Sequence, residues 1–302
     1  EMCIRDRFRR VVVLDNPKKT LPSGWNVALR EYKGDAIIKV DAHAVIPEDF
    51  VSKNVRVLET GEYICGGQRP NIIDKPTPFK ETLLLAESSM FGSSIASYRN
   101  NPGKTYVKSL FHAAYRREVF EKVGFFNEEL VRTEDNEIHY RMRKAGYKLC
   151  FDPDIISYQY TRSSLKAMLK QKYANGYWIG KTSKVCPKCL SIYHFVPFAF
   201  VSAIIASGSV IGATGLAECI KKRHNHTLGK GISALRKVTV VLTTVMWVLY
   251  ALMASGMAAV SAFKAEDKRN ITNACLPVLF LLLHLSYGIG TIAGLMDKSK
   301  RG

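Results

Sequence analysis

The sequence predicts an α/β domain followed by a helical membrane region. Three observations carry this. A short apolar run, Ala36-Ile-Ile-Lys-Val40, reads as a buried strand that ends in Asp41 and His43 and leads to a helix started at Pro47. A second helix, running from Thr133 to Gly146, is marked at both ends. Three long apolar segments, 192–216, 238–263 and 271–296, close the chain. An open α/β sheet offers polar groups to a ligand at strand ends and helix starts, and the two acidic motifs fall at those places.

The strand motif is Lys39-Val-Asp-Ala-His-Ala44, introduced by Gly34-Asp35. Asp41 and His43 are two residues apart, so in extended backbone they point the same way. A carboxylate and an imidazole can share a divalent cation, and Mn²⁺ tolerates the imidazole better than Mg²⁺ does. Read alone, such a pair is more often a turn aspartate and a surface histidine, since metal motifs this short recur by chance. Pro47-Glu48-Asp49 then opens a helix whose apolar positions Phe50, Val51, Val55 and Leu58 keep a helical period.

In the helix motif Thr133 stands at the N-cap, and Glu134, Asp135 and Glu137 crowd the first turns. Ile138, Met142 and Ala145 form an apolar stripe, and Gly146 is the C′ stop. Acidic residues at a helix start usually do no more than complement its dipole.

The stretch from Phe111 to Leu130 resembles that of inverting family 2 glycosyltransferases, which ends in a Gly-x-Phe-Asp-Glu-like turn, with Asn127 where Asp is usual. The run Ser157-Tyr-Gln-Tyr-Thr-Arg-Ser-Ser-Leu-Lys166, followed by Gln171 and Trp178, resembles the post-catalytic segment of bacterial exopolysaccharide glycosyltransferases of the succinoglycan type. The likeness runs from about residue 11 to 296 and takes in His284-Leu-Ser-Tyr-Gly-Ile-Gly290, which looks like the family's C-terminal membrane helix. It implies a GT-A-like (Rossmann-like) domain over 11–190, a transmembrane helical region over 191–297 and a basic tail over 298–302. There are two departures from the family pattern. His43 stands where a second acidic metal ligand is usual. The Gln-Arg-x-x-Arg-Trp box of processive synthases survives only as Gln171 and Trp178, which argues against a processive polymerase.

By the same resemblance Val11-Val-Val-Leu-Asp-Asn-Pro-Lys-Lys19 and Leu21-Pro-Ser-Gly-Trp-Asn-Val-Ala-Leu29 look like the family's third strand and its following helix. The amino-terminal βαβ unit with the nucleotide-base contacts is then missing. Glu1-Met-Cys-Ile-Arg-Asp-Arg7 looks like a translated sequencing-adapter end, so residues 1–10 are set apart as an artefact, and the fragment as it stands is expected to be inactive.

Each apolar segment exceeds the roughly 20 residues that cross a bilayer core, and together they carry almost no charge. The net charge of +18 comes with no nucleic-acid recognition module, and much of it flanks the apolar segments, so nucleic acid is excluded as partner. Lys166, Lys170, Lys172, Lys181, Lys184 and Lys188 precede the first segment, which places the catalytic domain on the cytoplasmic face of a bacterial inner membrane, against anionic lipid. Three crossings would put Lys221, Lys222, Arg223, Lys230, Arg236 and Lys237 outside. A re-entrant first segment, interrupted by Pro197, Gly208, Gly212 and Gly215, keeps them inside with Lys298, Lys300 and Arg301, and the charge bias leans that way. Cysteine adds little: Cys186-Pro-Lys-Cys189 has ligand spacing but no second pair, and His224 and His226 read as loop solubilisers.

The resemblance implies a single displacement. Asp41, with His43, would hold Mg²⁺ or Mn²⁺ against the diphosphate of a UDP-sugar, with UDP-glucose the first candidate. Asp135 would be the base, with Glu134 as runner-up. Lys18 and Lys19 are diphosphate candidates, or solvated lysines. His112, Arg141, Gln171 and Trp178 are acceptor-side candidates, although Arg141 could equally pair with its acidic neighbours. The acceptor would be a polyprenyl-diphosphate-linked glycan in exopolysaccharide or capsule synthesis, with a polysaccharide assembly complex as a further partner. A polyprenyl-phosphate sugar synthase and a non-catalytic membrane scaffold are the alternatives.

Overall fold

The computed structural model describes residues 11–92, 103–223, 229–265 and 270–298. The expectations for residues 1–10, for His224 and His226, and for the tail beyond Lys298 lie outside the described residues. In chain order the elements are α1 (Leu21–Glu31), β1 (Ala36–Ile38), β2 (Ala44–Val45), α2 (Phe50–Glu59), β3 (Ile64–Gln68), β4 (Asn71–Ile72), α3 (Pro78–Ser88), β5 (Thr105–Val107), β6 (Ala113–Arg116), α4 (Arg117–Val123), α5 (Glu134–Lys144), β7 (Leu149–Ile156), β8 (Tyr158–Tyr160), α6 (Leu165–Val185), α7 (Val196–Arg223), α8 (Lys230–Lys264) and α9 (Leu276–Met296). The described residues fall into two compact units, those within 11–69 and 103–157 in one and those within 70–92 and 158–298 in the other.

The first unit is built on a five-stranded sheet of order β1-β6-β3-β7-β5. β6 lies antiparallel between β1 and β3, β3 and β7 run parallel, and β5 closes the edge antiparallel to β7. The helix read after Pro47 forms as α2, but Val51 and Val55 of the expected stripe are exposed, and Phe50, Val57 and Leu58 pack on Cys65, Ala114, Cys150 and Ile155. Pro22 sits in the first turn of α1, where a missing N–H costs nothing.

The strand expected over Val11–Lys19 is not formed. Val12 and Val13 are exposed, and the backbone instead turns, with the Lys19 N–H donating to Asn16 O at 3.0 Å and Lys19 at φ 52°. Asn16 is fixed to the start of α1 by Nδ2 donating to Thr20 O and by the Ser23 hydroxyl donating to its Oδ1. An extended run without a neighbouring strand has no ladder to pair its amides.

β3 is threaded closely past β7. Their parallel register, Cys65↔Cys150 and Gly66↔Phe151, becomes irregular before Gln68↔Ile156. A Cβ on Gly67 would stand 2.0 Å from Ile155 O and 2.4 Å from Asp152 O, so the strand can pass there only as glycine.

In the second unit β4 and β8 pair in parallel, and α3 and α6 are capped by Thr77 and Ser164. The three apolar segments form helices long and apolar enough to cross a membrane: Ile192–Lys222, Lys230–Lys264 and Ile271–Met296. The first is not interrupted. Pro197 falls in the opening turn of α7, and Gly208, Gly212 and Gly215 lie inside a continuous helix.

Gly67→Ala should lower stability by about 1–3 kcal/mol, the usual cost of forcing an extra group into packed backbone. A denaturation midpoint equal to wild type would contradict the close approach.

Candidate catalytic and donor-binding site

The register of β1 on β6 builds the site. Ala36↔Arg116 through Ile38↔Ala114 is continued by the Lys39 N–H donating to Ala113 O at 2.9 Å, so the chain after β1 runs past His112. Asp41 is half-buried, and its Oδ2 lies 3.8 Å from His112 Nε2, a charge contact longer than a hydrogen bond. The imidazole is buried and held from the other side, with Nδ1 2.8 Å from Ser157 Oγ, so its Nε2 faces the carboxylate without a hydrogen bond of its own. Next to it Arg69, at the end of β3, lays its guanidinium 3.9 Å from the Phe111 ring centre.

The helix motif meets the strand motif through Lys39. Its Nζ is 3.1 Å from Glu134 Oε1, both side chains are buried, and the ammonium also lies over the rings of Trp25 and Phe126 at 5.4 and 5.7 Å. Phe126 belongs to the turn that follows α4. Asn26 of α1 clamps that turn in both directions, Nδ2 donating to Phe126 O at 2.9 Å and Oδ1 accepting from the Phe126 N–H at 2.8 Å.

The three acids of the first turn of α5 have different surroundings. Glu137 is taken by Arg141, whose Nε and Nη2 donate to its two oxygens at 2.6 and 2.8 Å and whose remaining donors hold Val123 O and Phe125 O. Glu134 is held by Lys39. Asp135 is half-buried, its Oδ1 accepts from the Asn136 N–H at 2.8 Å, and among the described residues it has no ion-pair partner. Thr133 has the N-cap position but makes no side-chain cap bond.

These environments set the charges. Burial pushes Glu134 up to about 7 against the pull of Lys39, and burial raises Asp135 against Lys39 and the Asn136 N–H, with Asp41 adding to the rise. Burial works to strip Lys39 of its proton, but Glu134, Asp135 and Asp41 outweigh it and raise its value. Burial would raise Asp41 too, yet His112 and Lys39 hold it below its ordinary value. His112 is lowered, chiefly by burial, and is neutral. His139 is pushed down to about 3 by burial, and its two nitrogens are taken by Tyr115 OH at 2.8 Å and Ser109 Oγ at 3.1 Å, which makes it a core histidine.

Asp41, His112, Glu134 and Asp135 therefore belong to one electrostatic cluster. The extended pair expected of Asp41 and His43 is not formed: the Ala44 N–H donates to Asp41 O at 3.0 Å, so the chain turns there, and His43 is exposed, adding only to the field that lowers Asp41. Lys18 is drawn to Glu128 at 2.7 Å, and Lys19 is exposed in the turn before α1. Of the two readings of Arg141, the structure has the pairing one. Gln171 and Trp178 lie on α6 of the second unit. Lys39 was missed as a functional residue, although a lysine within the apolar run Ile37-Ile-Lys-Val40 is the signal that would have found it.

Among the described residues no three His, Cys, Asp or Glu side chains come together as a metal cage. The half-buried Asp41 carboxylate suits a hard divalent cation that draws its remaining ligands from phosphate and water, and an imidazole ligand would favour Mn²⁺ over Mg²⁺.

The family model described as glycosyl transferase family group 2 matches residues 36–290. The succinoglycan biosynthesis protein ExoA of Rhizobium meliloti (strain 1021) is 28% identical over 172 residues, 55% of this chain and 51% of ExoA. The dolichyl N-acetyl-alpha-D-glucosaminyl phosphate 3-beta-D-2,3-diacetamido-2,3-dideoxy-beta-D-glucuronosyltransferase of Methanococcus voltae is 23% identical over 213 residues, covering 68% of this chain and 65% of that one. The O-antigen chain rhamnosyltransferase RfbN of Salmonella typhimurium is 29% identical over 133 residues, 42% of each chain. The chain thus spans from about half to just under two thirds of the length of the first two relatives.

Lys39→Met should cost about 3 kcal/mol at pH 8, because it leaves a buried carboxylate without its cation. The cost should shrink at pH 6. Glu134 has a folded value raised to about 7, so it takes up a proton as pH falls through that value and the ion pair weakens in the wild type as well. Thermal midpoints of the two proteins at both pH values check this, and a cost independent of pH would remove Glu134 as the partner that matters.

Proposed function

The chain belongs to glycosyl transferase family group 2, and on that footing we propose that it is the catalytic part of an inverting transferase moving a sugar from a UDP-sugar to a lipid-linked glycan. The observation that supports this most is the contrast within one helix turn. Glu134 and Glu137 are consumed by cations, while Asp135 stands half-buried, without a cation of its own, in the same field as Asp41.

In this reading Asp41, with His43 in reach, holds Mg²⁺ or Mn²⁺ at the donor diphosphate. When bound, the cation neutralises charge on the leaving nucleotide. Asp135 Oδ accepts the proton of the acceptor hydroxyl as that oxygen attacks the anomeric carbon from the opposite face. Lys39 fixes Glu134 and so sets the start of α5, which aims Asp135. His112, neutral and anchored by Ser157, lines the site with its buried Nε2 3.8 Å from the Asp41 carboxylate.

The names of the relatives support a saccharide acceptor carried on a lipid: one makes succinoglycan, one acts on a dolichyl phosphate sugar and one extends O-antigen chains. A polyprenyl-diphosphate glycan in exopolysaccharide or capsule synthesis, UDP-glucose as donor and a cytoplasmic catalytic face are the finer parts of the proposal. A donor screen in membranes, reading nucleotide release with and without lipid-linked acceptor, tests it. Release that no lipid-linked acceptor stimulates would overturn it.

Asp135→Asn in the full-length enzyme should lower kcat by about 10²–10⁴ and leave donor binding nearly intact. Burial raises Asp135 above its ordinary value of 3.8, so wild-type kcat should fall as pH drops through a value above that. The residual rate of Asp135→Asn should lack this acid limb. If the limb persists, the base is elsewhere.

Asp41→Ala should keep the fold while losing the Mn²⁺-dependent part of nucleotide binding, since a strand-end carboxylate contributes charge and not core packing. Calorimetry with and without Mn²⁺ measures this, and an unchanged metal dependence would sink the ligand assignment.

A further inference from the structure

We propose that only α7 and α8 cross the bilayer, and that α9, apolar along its length, stays on one side of it as an interfacial helix bound to α6. The reading goes beyond the proposed activity and is independent of it.

The three apolar helices are not alike. Within the protein 39% of the apolar window of Ile271–Met296 is buried, against 6% for each of the other two. The first half of α9 lies in a core where Leu276, Leu279, Phe280 and Leu283 meet Leu83 and Ala86 of α3, Met168 of α6, and Ala254 and Ala258 in the last turns of α8. Of these neighbours, α3 and α6 are charged helices. Lys172 of α6 and Glu87 of α3 are both buried and 3.9 Å apart, and Glu87 also takes a hydrogen bond from Thr161.

The second half of α9 is pressed onto the backbone of α6. A Cβ on Gly290 would lie 2.2 Å from Tyr173 O and one on Gly294 2.0 Å from Tyr177 O, while one on Gly176 would meet Tyr287 O at 2.0 Å. Ser286 Oγ donates to Leu169 O at 2.9 Å. At the far end Asp297 receives Tyr177 OH, and its carbonyl oxygen accepts from Lys184 Nζ at 2.9 Å. The two helices, each of 21 residues, therefore run side by side in the same direction.

α6 cannot cross. Between Lys172 and Lys181 its charge-free stretch spans about 12 Å at 1.5 Å per residue, and a bilayer core is about 30 Å thick. α9 is held along α6 from Leu169 to Lys184, whereas it meets α7 at that helix's opening turns, where a Cβ on Gly288 would lie 2.4 Å from Pro197 O, so it follows α6 and touches the hairpin at its base. The apolar character of α9 is then explained by a protein core on one flank and the membrane surface on the other.

α7 and α8 make a different object. Phe200 stacks on Tyr250 at 4.6 Å near one end, and Arg236 pairs with Glu218 near the other, so they form an antiparallel hairpin. Its shaft exposes Ile205, Leu216, Val241, Leu242, Val245, Val248 and Leu249 to the surroundings. From Phe200 to Glu218 it is about 27 Å long, close to the thickness of a bilayer core. The tip carries Lys221, Lys222, Lys230 and Lys237, so the occupant that fits is lipid around the shaft and water at the tip. The basic tip opposes the positive-inside tendency, yet the α6 side keeps more lysines, at 166, 170, 172, 181, 184, 188, 264 and 298.

Two exposed native thiols test this: Cys219 near the tip and Cys275 just before α9. Sealed membrane vesicles of either orientation are treated with a membrane-impermeant maleimide. Cys219→Ser and Cys275→Ser assign each label, and the exposed positions of Lys170→Cys and Lys298→Cys mark the α6 side and the end of α9. The proposal expects Cys219 to react from the face opposite Lys170→Cys, and Cys275 and Lys298→Cys from the same face as it. Cys275 on the opposite face would mean that one of α7 and α8 does not cross, and would overturn the proposal. So would Lys298→Cys on the opposite face, which means three crossings, or Cys219 on the α6 face, which means that the hairpin does not cross.

Discussion

The site of this protein hangs on one buried charge. Lys39 leaves the sheet just after β1 and is held between the Trp25 and Phe126 rings, with Glu134 as its closest partner. A lone ammonium in that position would be strongly disfavoured, so the lysine stays charged only because carboxylates surround it. The pair therefore works as a latch, in which the strand end and the helix start must both be in place for either charge to be tolerated. Asp41 and Asp135 are brought into one field as a consequence.

The backbone supplies the other half of the placement. β6 is hydrogen-bonded on both flanks, so the residue before it, His112, is carried to the chain leaving β1 on one side and to the glycines of β3 on the other. Gly67 lets β3 pass the irregular part of β7, and Arg69 follows it into the neighbourhood of His112. A sheet register, once fixed at a few pairs, thus determines which polar groups meet beyond the strand ends.

The sequence made part of this legible and hid the rest for physical reasons. Helix α5 could be read because its acidic start, its stripe of Ile138 and Met142 and its glycine stop are local signals. The placing of Asp41 and Asp135 in one field was readable only through the resemblance, since the two are far apart in the sequence. The Lys39 latch went unread because an ion pair between distant residues leaves no spacing in the sequence. Residues 11–19 show the opposite failure: three valines favour a strand, but a strand exists only where a neighbour completes its ladder. Glycines misled in a similar way. Those of α7 suggested interruption and lie in an unbroken helix, while Gly176 and Gly294 drew no attention and, with Gly290, set the contact between α6 and α9. Length and hydropathy see the composition of a helix, whereas burial sees what covers it, and only the second separates a core helix from a crossing one.

The division of labour between neighbouring acids follows from the same latch. Glu134 and Asp135 are adjacent on α5, and both are raised by burial, yet their surroundings give them different uses. Glu134 spends its charge on Lys39 and is covered, so a proton leaving an acceptor has no open path to it. Asp135 keeps an exposed part and a single backbone N–H partner, which leaves lone pairs free for a hydroxyl. On the proposed reading these environments give the two carboxylates separate roles, one structural and one reactive. Exchanging their surroundings would exchange their roles. The ion pair is for that reason part of the chemistry, though it touches no substrate: it decides which of two adjacent carboxylates remains available.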